Sequence, residues 1–462
     1  MQRALLQKIG LIAFIALLLQ LPVGMIRGLV MERKQARDGV IADIARGSSD
    51  PQKLIGPVLY VPWTRRSAES TVVTDDAGRT RTTRKEKVER GHATFLPATF
   101  VVEGNVDLQR KHRGIYEARL YTLTATLRGS FELPAGFGVP DGPGTLEWGR
   151  ALLVLGIQDP RGIRGRIGVD WNGAQPMLYP GGLEAAGAPN GVHADLGILA
   201  PGKEVSAPEF SIRLTLLGTE RLDIVPVGAT SSISLASAWP HPSFAGRILP
   251  DAGTQVSPEG FSARWLTSHF ANNLAQMHQR CVQSRQCEPF LQHSLAVSFL
   301  QPVDLYQTVE RSAKYGILFI GLTFAAFFLY EALRRLAIHP IQYAFVGIAL
   351  ALFFLLLISL SEHLGFATAY AIAATCCVTL IGYYVAHVFK NVRHGAAFTV
   401  ALGSLYGLLY ALLRVEDHAL MLGSLLVFAS VAAAMVATRR VDWYVLGVSP
   451  EPQAKATGGR PA

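Results

Sequence analysis

Residues 315–333 read YGILFIGLTFAAFFLYEAL, nineteen residues whose single charge is Glu331, in the last turn. At ~1.5 Å per residue such a stretch crosses most of a hydrocarbon core about 30 Å thick, and in oil a helix is the open-chain way to satisfy every backbone donor and acceptor. Four similar runs follow, at 343–360, 367–389, 396–413 and 420–438, separated by short connections. Going the other way, no comparable run occurs until 9–30, where IGLIAFIALLLQLPVGMIRGLV is interrupted only by Gln20, Pro22 and Arg27. No small-residue cleavage pattern follows it, so it reads as an uncleaved signal anchor. Val40, Ile41 and Ile44 share one helical face and extend that helix toward Arg46.

The expected fold class is therefore a membrane protein, an α-helical transmembrane bundle of about six helices with a large β-rich periplasmic domain inserted after the first helix. The expected segments are a cytoplasmic N-terminus (1–8), the anchor (9–30), the periplasmic domain (31–310), a five-helix bundle (315–438) and a cytoplasmic tail (439–462). Orientation comes from the short loops. Arg3, Lys8, Arg334, Arg335, Lys390, Arg393, Arg439 and Arg440 fall on one side, and Arg414, beside Glu362, Glu416 and Asp417, on the other. The positive side faces the cytoplasm, which places both termini inside a bacterial inner membrane and 31–310 outside it.

Charge supports the same division. The 462 residues carry a formal charge of +9, with mean hydropathy +0.28. Residues 31–310 hold 29 Lys+Arg against 28 Asp+Glu, so the excess belongs to the membrane part and signals topology, not nucleic-acid binding.

Between the anchors the sequence reads as strands. GIYEARLYTLTATLRGSFEL (114–133) alternates Tyr116, Ala118 and Leu120 with Glu117, Arg119 and Tyr121, and ATFLPATFVVEG, EFSIRLTLLG and SSISLASAW are similar runs. The charged stretch Arg65–Arg90 centres on Asp75-Asp76-Ala77-Gly78, a hairpin-tip signal; it reads as a solvated arm or as a docking surface for anionic polymer or lipid. Residues 445–462, rich in Gly, Pro and Ala, read as a disordered tail.

Several segments together carry a family resemblance: PQKLIGPVLYVP (51–62), QDPRGIRG (158–165), WPHPSFAG (239–246), FSARWLTSHFANNL (261–274), DLYQTVERSAKYGILFIGLTFAAFFLYE (304–331), HPIQY (339–343), LSEHLGF (360–366) and RRVDWY near the end. In these the chain resembles the CreD family of inner-membrane proteins, also called cell envelope integrity proteins. The resemblance implies a place in an envelope-response regulon, tolerance to some colicins and a part in envelope maintenance. It implies no reaction and no catalytic residue set.

Candidate sites are few. Cys281 and Cys287, six apart in the polar domain, are a candidate disulfide in an oxidising compartment. With His278 and His293 they could be mistaken for zinc ligands, but the spacing fits no familiar finger. Trp239, His241 and Phe244, in a proline-braced cluster that reads first as a rigid edge or turn packing its aromatic rings and second as a partner-binding surface, and Asp159 with Arg161, in a tight turn with an internal Asp to Arg contact, are the candidates for partner binding. Tyr306 to Tyr315, where domain meets helix, is the candidate coupling segment. Glu331, Glu362 and His363 fall near helix ends, where snorkelling makes charge cheap. No cofactor, metal or catalytic motif stands out.

The leading expectation is a non-enzymatic envelope protein whose domain binds an envelope protein, peptidoglycan or anionic lipid, with the bilayer as its other partner and no nucleic acid. The alternative is a membrane-embedded enzyme acting on an envelope lipid or glycan, with His241, Asp159 or Glu362-His363 as acid–base groups. A transporter has no visible substrate path.

Overall fold

The structure is a computed structural model that describes residues 2–74, 80–199, 201–202, 206–299, 304–334, 338–414 and 419–439. The hairpin tip Asp75–Gly78, the loop positions Arg335, Glu416, Asp417, His418 and Arg440, and the tail 445–462 lie outside them. The chain divides into two compact units, 1–36 with 303–462, and 37–302.

In the first unit the opening helices are α1 (Gln2–Leu18) and α2 (Gln20–Gly47), whose last turns belong to the second unit. Leu19, between them, keeps the ladder through Leu19 N–H to Ile15 O at 3.0 Å. The long helices that return later are α6 (Leu305–Arg334), α7 (Pro340–Leu364), α8 (Phe366–Val388), α9 (Val392–Arg414) and α10 (Ala419–Thr438). Five described helices are long and apolar enough to span a membrane, Gln7–Gly47 and the helices at α6 to α9; in α10 the apolar stretch is Met421–Val436. Small residues let these helices approach: a Cβ on Gly347 of α7 would strike Leu19, and one on Gly395 of α9 would strike Ala386 of α8.

Among the described residues sixteen strands make up most of the second unit. They are β1 (Gln52–Thr74), β2 (Thr80–Phe95), β3 (Thr99–Arg113), β4 (Tyr116–Ser130), β5 (Thr145–Trp148), β6 (Arg150–Ile157), β7 (Ile163–Trp171), β8 (Leu178–Pro180), β9 (Gly191–Ile198), β10 (Glu209–Thr219), β11 (Arg221–Val225), β12 (Thr230–Ser237), β13 (Ser243–Gly246), β14 (Gln255–Ser257), β15 (Gly260–Ser268) and β16 (Leu295–Ser298). One sheet runs β13-β16-β11-β1-β6-β9-β8, with β2 and β5 also on β1; the other runs β14-β15-β12-β3-β4-β10-β7. Three short helices, α3 (His269–Asn272), α4 (Leu274–Ser284) and α5 (Glu288–Leu291), interrupt the strands near the end.

Alternation builds the core between the sheets. Phe100, Val102 and Val106 of β3 and Ile233 and Leu235 of β12 point inward to meet Leu59, Val61, Leu153 and Leu155 of the other sheet, with Trp265 fully buried among them. β4 departs from the one-face-in pattern expected of it. Ala118 and Leu120 are buried on one side and Tyr121 and Leu123 on the other, because the last turns of α2 lay Ile41 and Ile44 over the first pair. Arg119 is likewise buried, donating to Phe299 O at 3.1 Å with its guanidinium 4.9 Å from the Trp239 ring. Over 118–121 a strand that reads as half-solvated is buried on both faces because a helix covers the outer one, whereas Thr124 and Arg128 farther along are exposed.

Candidate functional site

The sequence-predicted residues fall into separate places, and most are spent on holding the fold. Asp159 and Arg161 form a knot where α2 gives way to β1. Arg161 donates through Nε to Asp159 Oδ1 at 2.9 Å and through Nη2 to Oδ2 at 2.7 Å, and through Nη1 to Arg46 O, at the end of α2, at 2.6 Å. Asp50 N–H also donates to Asp159, at 2.9 Å. Beneath them Gln52 Nε2 reaches Ser49 Oγ, Asp159 O and Leu217 O, and Thr219 donates to Ser49 O at 2.6 Å. Gly162 is tight against this knot, since a Cβ there would strike Leu217 O. Burial pushes the Asp159 carboxyl up, but hydrogen bonds from the Arg161 side chain and from two backbone N–H groups outweigh it and leave the group below the ordinary carboxylate range. The site binds the fold's own helix end.

Trp239 donates from its indole to His241 O at 2.8 Å, and Phe244 sets its edge on Phe261 and Trp265, each at 5.7 Å. Trp239 and Phe244 pack against the core from its margin, partly buried, with His241 exposed beside them. Tyr306 and Tyr315 are inside α6, which begins at Leu305, so the expected connector is already helix. Tyr306 OH donates to Glu362 Oε1 at 3.1 Å, with Arg33 Nε 3.9 Å from the same oxygen; Tyr315 is half-buried on α6. Nor does Glu331 snorkel. It is buried, ion-paired with Lys8, and accepts from Tyr343 OH at 2.8 Å and Ile338 N–H at 3.2 Å. Packing of α1, α6 and α7 around it leaves its side chain only 8% exposed, so pairing largely replaces hydration.

A cleft of about 860 Å³ lies elsewhere in the second unit, between β2 and α4. One wall is the end of β2 and the residues after it, Arg90 through Ala98. The facing wall is α4, with Leu274, Ala275, His278, Gln279, Val282 and Gln283; Trp63, Glu132, Phe137, His269 and Asn272 close the ends. Trp63 packs across Gly91, where any Cβ would collide with the indole. The lining mixes aromatic and aliphatic surface with imidazoles, amides and one charge of each sign, which suits a polar, net-neutral ligand with apolar parts.

The α4 wall is fixed from behind. Leu274, His278 and Cys281 recur at helical spacing and are buried. His278 Nε2 donates to Ala186 O at 3.1 Å, its ring meets Phe290 edge-on at 5.2 Å, and burial pushes its pKa down, so it stands as a neutral ring. Cys281 and Cys287 are joined as a disulfide, Cα to Cα 4.2 Å, tying the last turn of α4 to the start of α5. It packs on Gly187, whose φ of 73° and crowding by Cys281 Sγ suit glycine. Among the described residues no group of three or more His, Cys, Asp or Glu is placed to hold a metal. Changing both cysteines to serine should cost the second unit about 2 kcal/mol, the loop-closure entropy of so short a ring. Thermal unfolding with and without reductant checks it: the wild type should fall to the variant's value, and the variant should not respond.

Sequence reasoning passed over the cleft because its walls come from stretches more than 170 residues apart. Its local signals were scattered: the tract FSARWLTSHFANNL, which holds His269 and Asn272, was singled out for resemblance, Arg90 ends the charged stretch read as an arm or docking surface, and His278 was weighed only against zinc.

Comparison with known proteins agrees with the architecture. A family model described as inner membrane protein CreD matches residues 4–444. The curated inner membrane protein CreD of Escherichia coli (strain K12) is 36% identical over 447 residues, covering 96% of this chain and 93% of that relative.

Proposed function

Because the chain belongs to the CreD family of inner membrane proteins, we propose that its β domain stands in the periplasm, captures an envelope partner in the cleft between β2 and α4, and thereby supports the integrity of the cell envelope. The observation that carries this is the cleft itself, a mixed apolar and polar concavity whose α4 wall is held by a disulfide and a buried histidine. A preorganised wall reduces the ordering cost of binding. The loop charges support the orientation, with both termini in the cytoplasm.

The acid–base groups named for the enzymatic alternative do not meet there. Asp159, His241 and Glu362 are not among the residues lining the cleft, and Asp159 is saturated by Arg161 and Asp50.

The reading is tested by filling the cleft. Ala275 is exposed on α4, so Ala275→Trp adds bulk to the cavity without touching the core. In a strain lacking the protein, the variant should insert and unfold like the wild type yet fail to restore resistance to envelope-directed stress; full restoration would sink the proposal. Orientation has its own check. Met177 is exposed in the β domain, so Met177→Cys should react with a membrane-impermeant maleimide in intact spheroplasts, and reaction only after lysis would reverse the topology.

A further inference from the structure

β2 has a strand on one side only. The edge of β1 that receives it is shared lengthwise, β11 taking Gln52–Ile55 and β2 taking Leu59–Thr74. Among the described residues β1 is the only strand paired with β2. The opposite edge of β2 therefore presents backbone N–H and C=O groups to no other strand. That edge ends at Pro97 and Ala98, where Pro97 O accepts from Ala229 N–H at 2.9 Å and Ala98 N–H donates to Ser130 O at 2.8 Å.

The cleft lies along this edge. Arg90 through Phe95, the last residues of β2, line it without a gap. Successive side chains of a strand point to opposite faces, so a wall made of every residue in turn is an edge and neither face. Resting on the reading that the cleft takes an envelope partner, we infer that the partner is an extended polypeptide segment that adds itself to β2 as a further strand, between β2 and α4.

The chemistry of the lining selects that occupant. A row of alternating donors and acceptors about 20 Å long, six residues at ~3.3 Å each, is matched in spacing by another extended backbone. A glycan or an acyl chain matches no such repeat. Arg90 and Glu132 leave the cleft without net charge, which does not suit a polyanion. Phe95, Phe137, Leu274 and Val282 offer apolar surface for alternate side chains of the incoming strand. Uncovered edges are liabilities that proteins cover or blunt, and here the approach is narrowed by a helix fixed in place.

The test uses the full-length protein in lipid nanodiscs and a displayed library of random ten-residue peptides as probe. A selected peptide should slow hydrogen exchange at least tenfold at those alternate amides of Arg90–Phe95 that do not face β1. N-methylation of alternate amides on one side of the peptide should weaken binding at least tenfold, while methylation of the other set should leave it within twofold. Ala275→Trp should abolish binding. Equal tolerance of both methylation patterns, or protection away from Arg90–Phe95, would overturn strand addition. So would protection of those amides by a muropeptide sugar, by anionic phospholipid vesicles or by self-association of the protein, with no peptide selected; these results would leave the partner reading standing. Restored envelope function by Ala275→Trp in cells would instead remove the partner reading itself.

Discussion

Replacing Asp159 with alanine is expected to lower the stability of the second unit by about 3 kcal/mol, or roughly 10 °C in its unfolding temperature. The carboxylate is the shared acceptor for Arg161 Nε, Arg161 Nη2, Arg161 N–H and Asp50 N–H. Removing it orphans donors at a place where α2, β1 and β10 are tied together through Gln52, Ser49 and Thr219. Buried donors without acceptors cost more than the net worth of the bonds they lose. Arg161→Ala should cost less, because its side chain is half-exposed and Asp50 N–H keeps its acceptor. The effect carries a pH signature. Asp159 titrates below its unfolded value, so its stabilisation is complete above about pH 4 and is lost as pH falls through its folded pKa. The gap in unfolding temperature between wild type and Asp159→Ala should therefore be wider at pH 7 than in acid. A gap that stays constant to pH 2, or no gap at pH 7, would remove the knot from the account.

Lys8→Ala should damage the helical unit by a similar amount. Lys8 pairs with Glu331 and also donates to Ile338 O at 2.8 Å, which fastens α1 to the α6–α7 connection. Without it Glu331 stays buried among Tyr343 and Ile338 with no counter-charge, a situation that costs about 3 to 5 kcal/mol when one partner of a buried pair is deleted. Changing both, Lys8→Met with Glu331→Gln, should recover most of the loss, since neither charge is then buried alone. Unfolding of the detergent-solubilised protein and its steady-state level in the membrane are the readouts. A single variant as stable as the wild type would mean that the pair contributes nothing to holding α1.

Parts of the architecture were legible because they follow from local rules. Residues 315–333 and the later apolar runs announce long apolar helices through length and composition alone, and Val40, Ile41 and Ile44 correctly extended the opening helix, which runs to Gly47. The strands at 114–133 and 209–218 showed through alternation. What alternation could not show was that Arg119 and Leu120 are both buried, because the covering residues, Ile41 and Ile44, are some 75 residues away in sequence. The turn at Asp159 and Arg161 and the contact between them were readable, but not that the same carboxylate caps a junction with Asp50 and, through Arg161, the end of α2.

The sequence by itself determined which stretches form helices long and apolar enough to cross a membrane and that a long β-rich segment stands between them, since the cost of unpaired backbone in oil depends on composition along the chain and on little else. Only the tertiary structure decided which charged groups are buried in pairs, that β2 keeps one edge unpaired, and that α4 stands across from that edge to make a cleft. These depend on strand order and on contacts between distant residues, and neither is set by the period of a local pattern.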